Sequence, residues 1–539
     1  MSERHDFLAV DIGAASGRVI LGRWGGVRFD LEELHRFPNE PVRVADGLHW
    51  DILRLWHEVK VGLSRYRARD GATLAGIGID TWAIDFGLLD RKGRLLGNPY
   101  HYRDGRTAGV AERVDAIVAP GALYAQTGIQ RLPFNTLYQL ASLGADDPQL
   151  AAAESLLLIP DLFGYWLTGR RVAEYTNATT TQFLDARTGE WATDLLAAIG
   201  LPTAPLPPIV APGTVLGELL PPVRAELGLP EGTPFIATAT HDTASAVAAI
   251  PDLDDHSAYI SSGTWSLVGV ELPAPILTEA ARARDFTNEG GVAGTIRFLK
   301  NVGGLWLLQE CQRSWERAGQ GRSWPEIVAL AEAAPSLRSF VDPDAPAFLS
   351  PDDMPAAIRE HCQRTGQPIP DGIGALVCCC LESLALKYRW TIAAIEELTG
   401  RTIETIRVVG GGSQNALLCQ LTADACGRRV VAGPTEATAL GNCLVQALAR
   451  GVLPDLAAGR RAIAASVVQR TYEPVVDPAW DVAYEAFVGL LGRGRPSPPP
   501  SCARHPLPRG RPPILGEGEV PLLIYRSSVN GGVSWSVRG

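Results

Sequence analysis

Four short segments carry residue types able to bind phosphate or take up a proton. Asp11-Ile-Gly-Ala-Ala-Ser-Gly-Arg18 sets small residues between Gly13 and Gly17 and ends on a guanidinium. Glycines let backbone amides approach an anion closely, and the Ser16 hydroxyl and Arg18 add hydrogen bonds to its oxygens. Asp11, closing an apolar run, can hold Mg²⁺ through water. Ser261-Ser-Gly-Thr264 is a second small-residue cradle. Gly410-Gly-Gly412, followed by Ser413, Gln414 and Asn415, leaves a surface without Cβ atoms on which a purine ring can lie. Thr240-His-Asp-Thr-Ala-Ser245 offers Asp242 as acceptor of a hydroxyl proton. Each segment also has a plainer reading: a glycine-rich hairpin, a strand turn, or Asp242 as N-cap of a helix over 243–250.

These residues need strands and turns to hold them. Phe7–Ile12 is a buried strand and Arg18–Trp24 a second, joined as a hairpin across Gly13–Gly17. Gly76–Thr81 and Phe86–Leu89 read as further strands. Helical spacing over Trp50–Tyr66 places Leu53, Trp56, Val59 and Leu63 on one face. The grammar returns at Ala258–Val270, again strand, tight glycine turn, strand, and Arg407–Gly412 runs from strand into a glycine-rich helix start. Two similar α/β halves facing each other across a cleft are expected, each with one phosphate loop.

Composition narrows the class. The 539 residues are 46% hydrophobic, ample for large cores, and carry net charge −10. That charge argues against a general nucleic-acid or anionic-membrane binder. Only Lys60, Lys92, Lys300 and Lys387 are lysines, and Val, Arg, Leu and Leu precede them, so no Gly-Lys-Ser/Thr phosphate loop exists. The protein-kinase combination of His-Arg-Asp with Asp-Phe-Gly does not occur, nor does His-Glu-x-x-His. Cys378, Cys379 and Cys380 read as buried thiols. With no signal-peptide core and no long apolar run, the expectation is a cytoplasmic protein, a monomer or weak homodimer, without membrane or nucleic-acid partners. From Arg493 the chain turns rich in proline and arginine, and 493–539 is expected to be a disordered tail, native or a non-native extension.

Longer runs connect the four segments. They are Gly78-Ile-Asp-Thr-Trp-Ala-Ile-Asp-Phe86, Tyr102-Arg-Asp-Gly-Arg-Thr107, Thr127-Gly-Ile-Gln130 and Leu132-Pro-Phe-Asn-Thr-Leu-Tyr-Gln139. Ile159-Pro-Asp-Leu-Phe163, Thr240–Val247, Asn301-Val-Gly-Gly-Leu-Trp-Leu-Leu-Gln309 and Thr438-Ala-Leu-Gly-Asn442 continue them. On these residues the chain resembles the FGGY carbohydrate kinases, of the actin/Hsp70/sugar-kinase fold, from about residue 6 to about residue 490.

The resemblance implies an α/β protein of two duplicated actin-like (ribonuclease H-like) ATPase domains facing a central cleft. Their expected spans are 1–247, with the sugar site and first phosphate loop, and 248–492, with the second phosphate loop and adenosine site. It implies ATP-dependent phosphorylation of a ketose, L-rhamnulose, ahead of L-fuculose, L-ribulose or L-xylulose. Asp242 is then the catalytic base, and Ala83, His241 and Thr243 line the sugar beside it. Ala14, Ala15, Ser16, Gly17 and Arg18 form the first ATP loop, and Thr264, Asn301, Gln309 and Gly411 complete the nucleotide contacts. Asp11 takes the Mg²⁺. Ala83 stands where the family pattern has glycine, so that its extra methyl either crowds the ketose or leaves the backbone contact unchanged. A different class, an ATP-switched binding protein of the Hsp70 or actin type, predicts slow hydrolysis without sugar stimulation.

Overall fold

A computed structural model describes residues 4–45, 47–68, 72–144 and 146–491 of the chain; 493–539, expected as a tail, lies outside the described residues. Two large sheets carry the architecture. The first runs in the order Thr214–Glu218, Pro234–Ala237, Thr73–Thr81, His5–Ile12, Ser16–Trp24, Phe29–Pro38. The last three form an antiparallel meander, Thr73–Thr81 lies parallel to His5–Ile12, and Pro234–Ala237 lies parallel to Thr73–Thr81. The second sheet repeats this plan: Ile296–Gly303, Trp265–Leu272 and Ser257–Ser262 are the meander, followed by the parallel strands Thr405–Val409 and Arg429–Ala432. A short antiparallel strand closes each sheet, Thr214–Glu218 in one and Arg470–Tyr472 in the other. Thr287–Gly290 is an addition on the free edge of the second meander.

The apolar run at the N-terminus serves two cores because alternate strand residues face opposite ways. Leu8, Val10 and Ile12 pack with the helices Ile52–Leu63 and Ile159–Thr168. Phe7 and Ala9 turn toward the helices Asp242–Ala248 and Ala437–Ala449, where they join Tyr259 and Val409 from the other sheet. Those two helices are therefore the shared core between the lobes. They cross backbone to backbone: a Cβ at Gly441 would lie 1.8 Å from the Ser245 carbonyl oxygen. On the far side of the second sheet Ala258 and Ile260 pack against the long helix Gly372–Thr399, which buries Cys378, Cys379 and Cys380 as free thiols.

Local readings shift by a residue or two. In Ile52–Leu63 the buried stripe is Ile52, Leu55, Val59 and Leu63, while Leu53 is 60% exposed. One residue is 100° of helix, which carries Leu53 off the face expected for it. The helix expected over 243–250 spans Asp242–Ala248, so Asp242 is its first residue and His241 its N-cap. That helix crosses the expected 247/248 division. Among the described residues no helix is long and apolar enough to cross a membrane.

Candidate active site

Both hairpin turns and both crossed helices open onto one cleft of about 470 Å³. From the first hairpin Asp11, Ala14, Ala15, Ser16 and Arg18 line it. Ala83, His241, Asp242 and Thr243 form another part of its wall, and Thr264, Asn301 and Gly411 enter from the second lobe. Gly17 and Gln309 are not among the lining residues. A Cβ at Gly17 would lie 2.2 Å from the Phe37 ring, so packing inside the sheet demands that glycine. Gln309, on the helix Trp306–Arg317, accepts a hydrogen bond from the Thr264 hydroxyl at 3.2 Å and steadies the second turn.

The glycine ledge divides in the same way. A Cβ at Gly412 would fall 2.0 Å from Ser262 Oγ, and one at Gly410, where φ is +80°, would lie 2.9 Å from the Ser262 carbonyl oxygen. Only Gly411 of the three has open space beside it. Gly410 and Gly412 let the ledge close on the Ser261–Thr264 turn, and Gly410 and Gly411 line the cleft.

Asp242 reaches the cleft from the first turn of its helix. Its Oδ1 accepts from the Thr243 amide at 2.5 Å and the Thr243 hydroxyl at 3.2 Å, and 28% of the side chain stays exposed. Burial pushes its carboxyl above the ordinary value; His241 works against this and Asp11 adds to it. A carboxylate made more basic while facing a cleft is suited to accept a hydroxyl proton. Asp80, opposite Asp11 in the sheet, is fully buried and accepts from Asn442 Nδ2 at 2.5 Å. Its carboxyl is also raised, by burial and then by Asp11.

Arg18 crosses to the other lobe. It donates to Asp11 at 2.6 Å and to Glu436, the residue before the helix Ala437–Ala449. Burial works against the charged guanidinium, but the two carboxylates outweigh it. Glu436 carried no sequence signal beyond an acid preceding a helical run.

An aromatic wall stands beside Ala83. Asp85 is buried and accepts from Trp50 Nε1 at 2.6 Å, Trp82 Nε1 at 2.9 Å, the Tyr102 amide at 3.2 Å and Gln139 Nε2 at 2.7 Å. Burial raises its carboxyl to about 6 against the Trp50, Gln139 and Trp82 donors and the Arg106 charge. Asp85-Phe86-Gly87 shares its letters with the protein-kinase metal triplet, yet here the aspartate is a structural hub. Ile84 sits in the left-handed region at φ +69°. That conformation is costly for a β-branched residue and marks a constrained backbone next to Ala83. Its carbonyl is held by the Thr136 hydroxyl at 2.7 Å. Asn301 is held across the lobes, its amide and its Nδ2 both 3.1 Å from Gln130 Oε1. Arg103 spans them too, donating to the Leu349 carbonyl at 2.7 Å and lying 4.0 Å over the Trp306 ring.

A duplicated sheet, two glycine-hydroxyl turns and a carboxylate between the lobes define a phosphotransferase cleft, and the sequence comparison gives the family. Residues 7–249 match the N-terminal domain, and residues 258–450 the C-terminal domain, of the FGGY family of carbohydrate kinases. The chain belongs to this family and is a sugar kinase. It is 46% identical to a rhamnulokinase from Bacteroides thetaiotaomicron over 485 residues, 90% of this chain and 99% of that one. A rhamnulokinase from Enterococcus faecalis is 43% identical over 490 residues, 90% and 98% of the two chains. Among solved structures, xylulose kinase from Rhodospirillum rubrum aligns with TM-score 0.72 at 22% identity, covering 90% of this chain and 98% of its own. Gluconate kinase from Lactobacillus acidophilus aligns with TM-score 0.72 at 16% identity, covering 90% and 96%.

Proposed function

We propose that the chain transfers the terminal phosphoryl group of ATP to the C1 hydroxyl of L-rhamnulose, yielding L-rhamnulose 1-phosphate and ADP. The observation that carries this reading is the Asp242 carboxylate. It stands on the cleft wall between the two phosphate turns, in a chain 43–46% identical to rhamnulokinases over most of its length. ATP lies between the lobes. Ala14–Arg18 and the turn at Thr264 hold its phosphates, Asn301 helps to fix them, and Gly411 faces the base. The ketose lies against Ala83, His241 and Thr243.

Asp242 takes the C1 hydroxyl proton as that oxygen forms its bond to the γ-phosphorus. The bond from phosphorus to the β–γ bridging oxygen breaks, and ADP leaves with the electron pair. The transition state is loose, so positioning and charge neutralisation supply most of the acceleration. Arg18 brings a permanent positive charge to the phosphate loop. Asp11 lines the cleft beside that loop and offers the hard oxygen that would hold Mg²⁺ through water. When bound, the ion would neutralise charge on the triphosphate.

Initial rates with ATP, read by coupled ADP release, test the reading on L-rhamnulose beside L-fuculose, L-ribulose and L-xylulose. The highest kcat/KM is expected for L-rhamnulose. Preference for another ketose would keep the kinase and overturn the sugar. ATP hydrolysis that no sugar stimulates would overturn both.

A further inference from the structure

His241 does not stand against the cleft alone. Beside it Glu289, on Thr287–Gly290, also lines the cleft, and behind both lies Arg297, on Ile296–Gly303, directly opposite Glu289 in the antiparallel ladder. Such cross-strand partners project to the same face and meet. Arg297 is fully buried, Glu289 is 6% exposed, and Nη2 lies 3.2 Å from Oε2. The Arg297 Nε donates to the Gly290 carbonyl at 2.9 Å, which fixes the plane of the guanidinium. Its Nη2 then sits 3.0 Å from His241 Nδ1. Glu289 Oε2 is 3.3 Å from the same ring nitrogen, and the other ring nitrogen, Nε2, is 3.5 Å from Asp242 Oδ1.

A guanidinium has donors only. Its contact with Nδ1 is a hydrogen bond only when Nδ1 offers a lone pair; a proton there would set N–H against N–H. The neutral ring must then carry its proton on Nε2. Glu289 on its own would favour the opposite tautomer, by accepting from Nδ1–H. Yet Oε2 lies farther from Nδ1 than Arg297 Nη2 does, 3.3 against 3.0 Å, and is drawn to the Arg297 charge, which it neutralises.

We propose that Glu289 and Arg297 are positioning residues that set the tautomer of His241, so that Nε2–H is a hydrogen-bond donor toward the ketose. The last clause rests on the proposed substrate; the tautomer does not. His241 then donates to a hydroxyl or carbonyl oxygen of the sugar, and Asp242 is left as the sole base. Glu289 acts indirectly, by making a buried guanidinium tolerable beside the imidazole.

Removing one charge would leave the other buried and unpaired, so the test removes both, as E289Q/R297M, beside R297K, which keeps a donor. The protein is labelled with ¹⁵N-histidine, and H241Q identifies the His241 ring signals. In the wild type Nδ1 should resonate as an unprotonated nitrogen and Nε2 as a protonated one. The double variant should lose or reverse that pattern, and its ketose KM should rise roughly tenfold, the scale of one hydrogen bond, with the ATP KM within twofold. R297K should keep the wild-type pattern and a ketose KM within about threefold. A proton on Nδ1 in the wild type would overturn the proposal. So would a double variant whose ring signals and ketose KM match the wild type. The ring signals are read without substrate, so a wrong sugar assignment would appear separately, as absent ketose turnover.

Discussion

Asp242→Asn exchanges one carboxylate oxygen for an amide nitrogen and leaves the backbone untouched. In the free protein Oδ1 accepts from the Thr243 amide at 2.5 Å and from its hydroxyl at 3.2 Å, and an asparagine oxygen keeps both. The amide then faces the cleft, where it cannot accept the sugar proton. Loss of a general base lowers kcat by about 10²–10⁴, or about 3–5.5 kcal/mol of activation free energy. Stability should move the other way. Burial, with Asp11 adding to it, raises the Asp242 carboxyl above its unfolded value. A raised carboxyl means the folded state prefers the protonated form. Above its folded pKa the ionised group therefore destabilises the fold, and this cost is relieved as pH falls through that value. Asparagine never carries the charge. The Tm of the variant at pH 7 should equal or exceed the wild type's, and the difference should shrink on acidification. Coupled ADP release gives kcat, and calorimetry at pH 7 and pH 5 gives Tm. Turnover within tenfold of the wild type would refute the base assignment; activity lost together with a lower Tm would mean the residue is structural.

Arg18→Ala should raise the ATP KM about 10–100-fold, since charge-assisted hydrogen bonds contribute about 1.5–3 kcal/mol; an unchanged ATP KM and kcat would count against the loop. The ledge glycines should separate cleanly. Gly412→Ala places a methyl 2.0 Å from Ser262 Oγ and should cost about 1–3 kcal/mol of stability in urea melts. Gly411→Ala meets nothing in the free protein and should leave Tm unchanged while raising the ATP KM about tenfold. His101 lies tilted against Trp50, ring centroids 4.2 Å apart, and its Nδ1 accepts from the Arg103 amide at 3.0 Å. Burial, then the Arg103 charge, lowers its pKa to about 3 from 6.5. The unfolded chain takes this proton below pH 6.5 and the folded one does not, so stability falls with pH by about 1.4 kcal/mol per unit between roughly pH 6 and 4. His101→Gln should flatten that dependence in urea titrations; an unchanged slope would show that other groups control it.

Much of the site was legible because local backbone chemistry is written in residue type. The repeated pattern of apolar strand, glycine-hydroxyl turn and strand announced two similar sheets. Gly13, Ser16 and Arg18 marked one turn, Ser261–Thr264 the other, and an aspartate beside a helix start marked the cleft carboxylate proposed as base. Periodicity was weaker: it placed Leu53 on the buried stripe, although 60% of it is exposed, because one residue of phase turns a helix by 100°. The roles of single glycines were not legible either. Gly17, Gly410 and Gly412 read as ligand contacts, and the fold adds a packing demand on each, from Phe37 or Ser262, that the chain alone does not announce.

The rest was decided by packing at long range. Arg18 meets Glu436 across 418 positions, and Asn301 meets Gln130 across 171. His241 is held by two residues from the edge strand of the opposite sheet and its neighbour. A side chain's own type states what it can donate or accept, which is why the turns and the cleft carboxylate could be read from the chain alone. Which partner it finds depends on how the two sheets close around the crossed helices at Ser245 and Gly441. That closure is a property of summed packing, and no local segment encodes it.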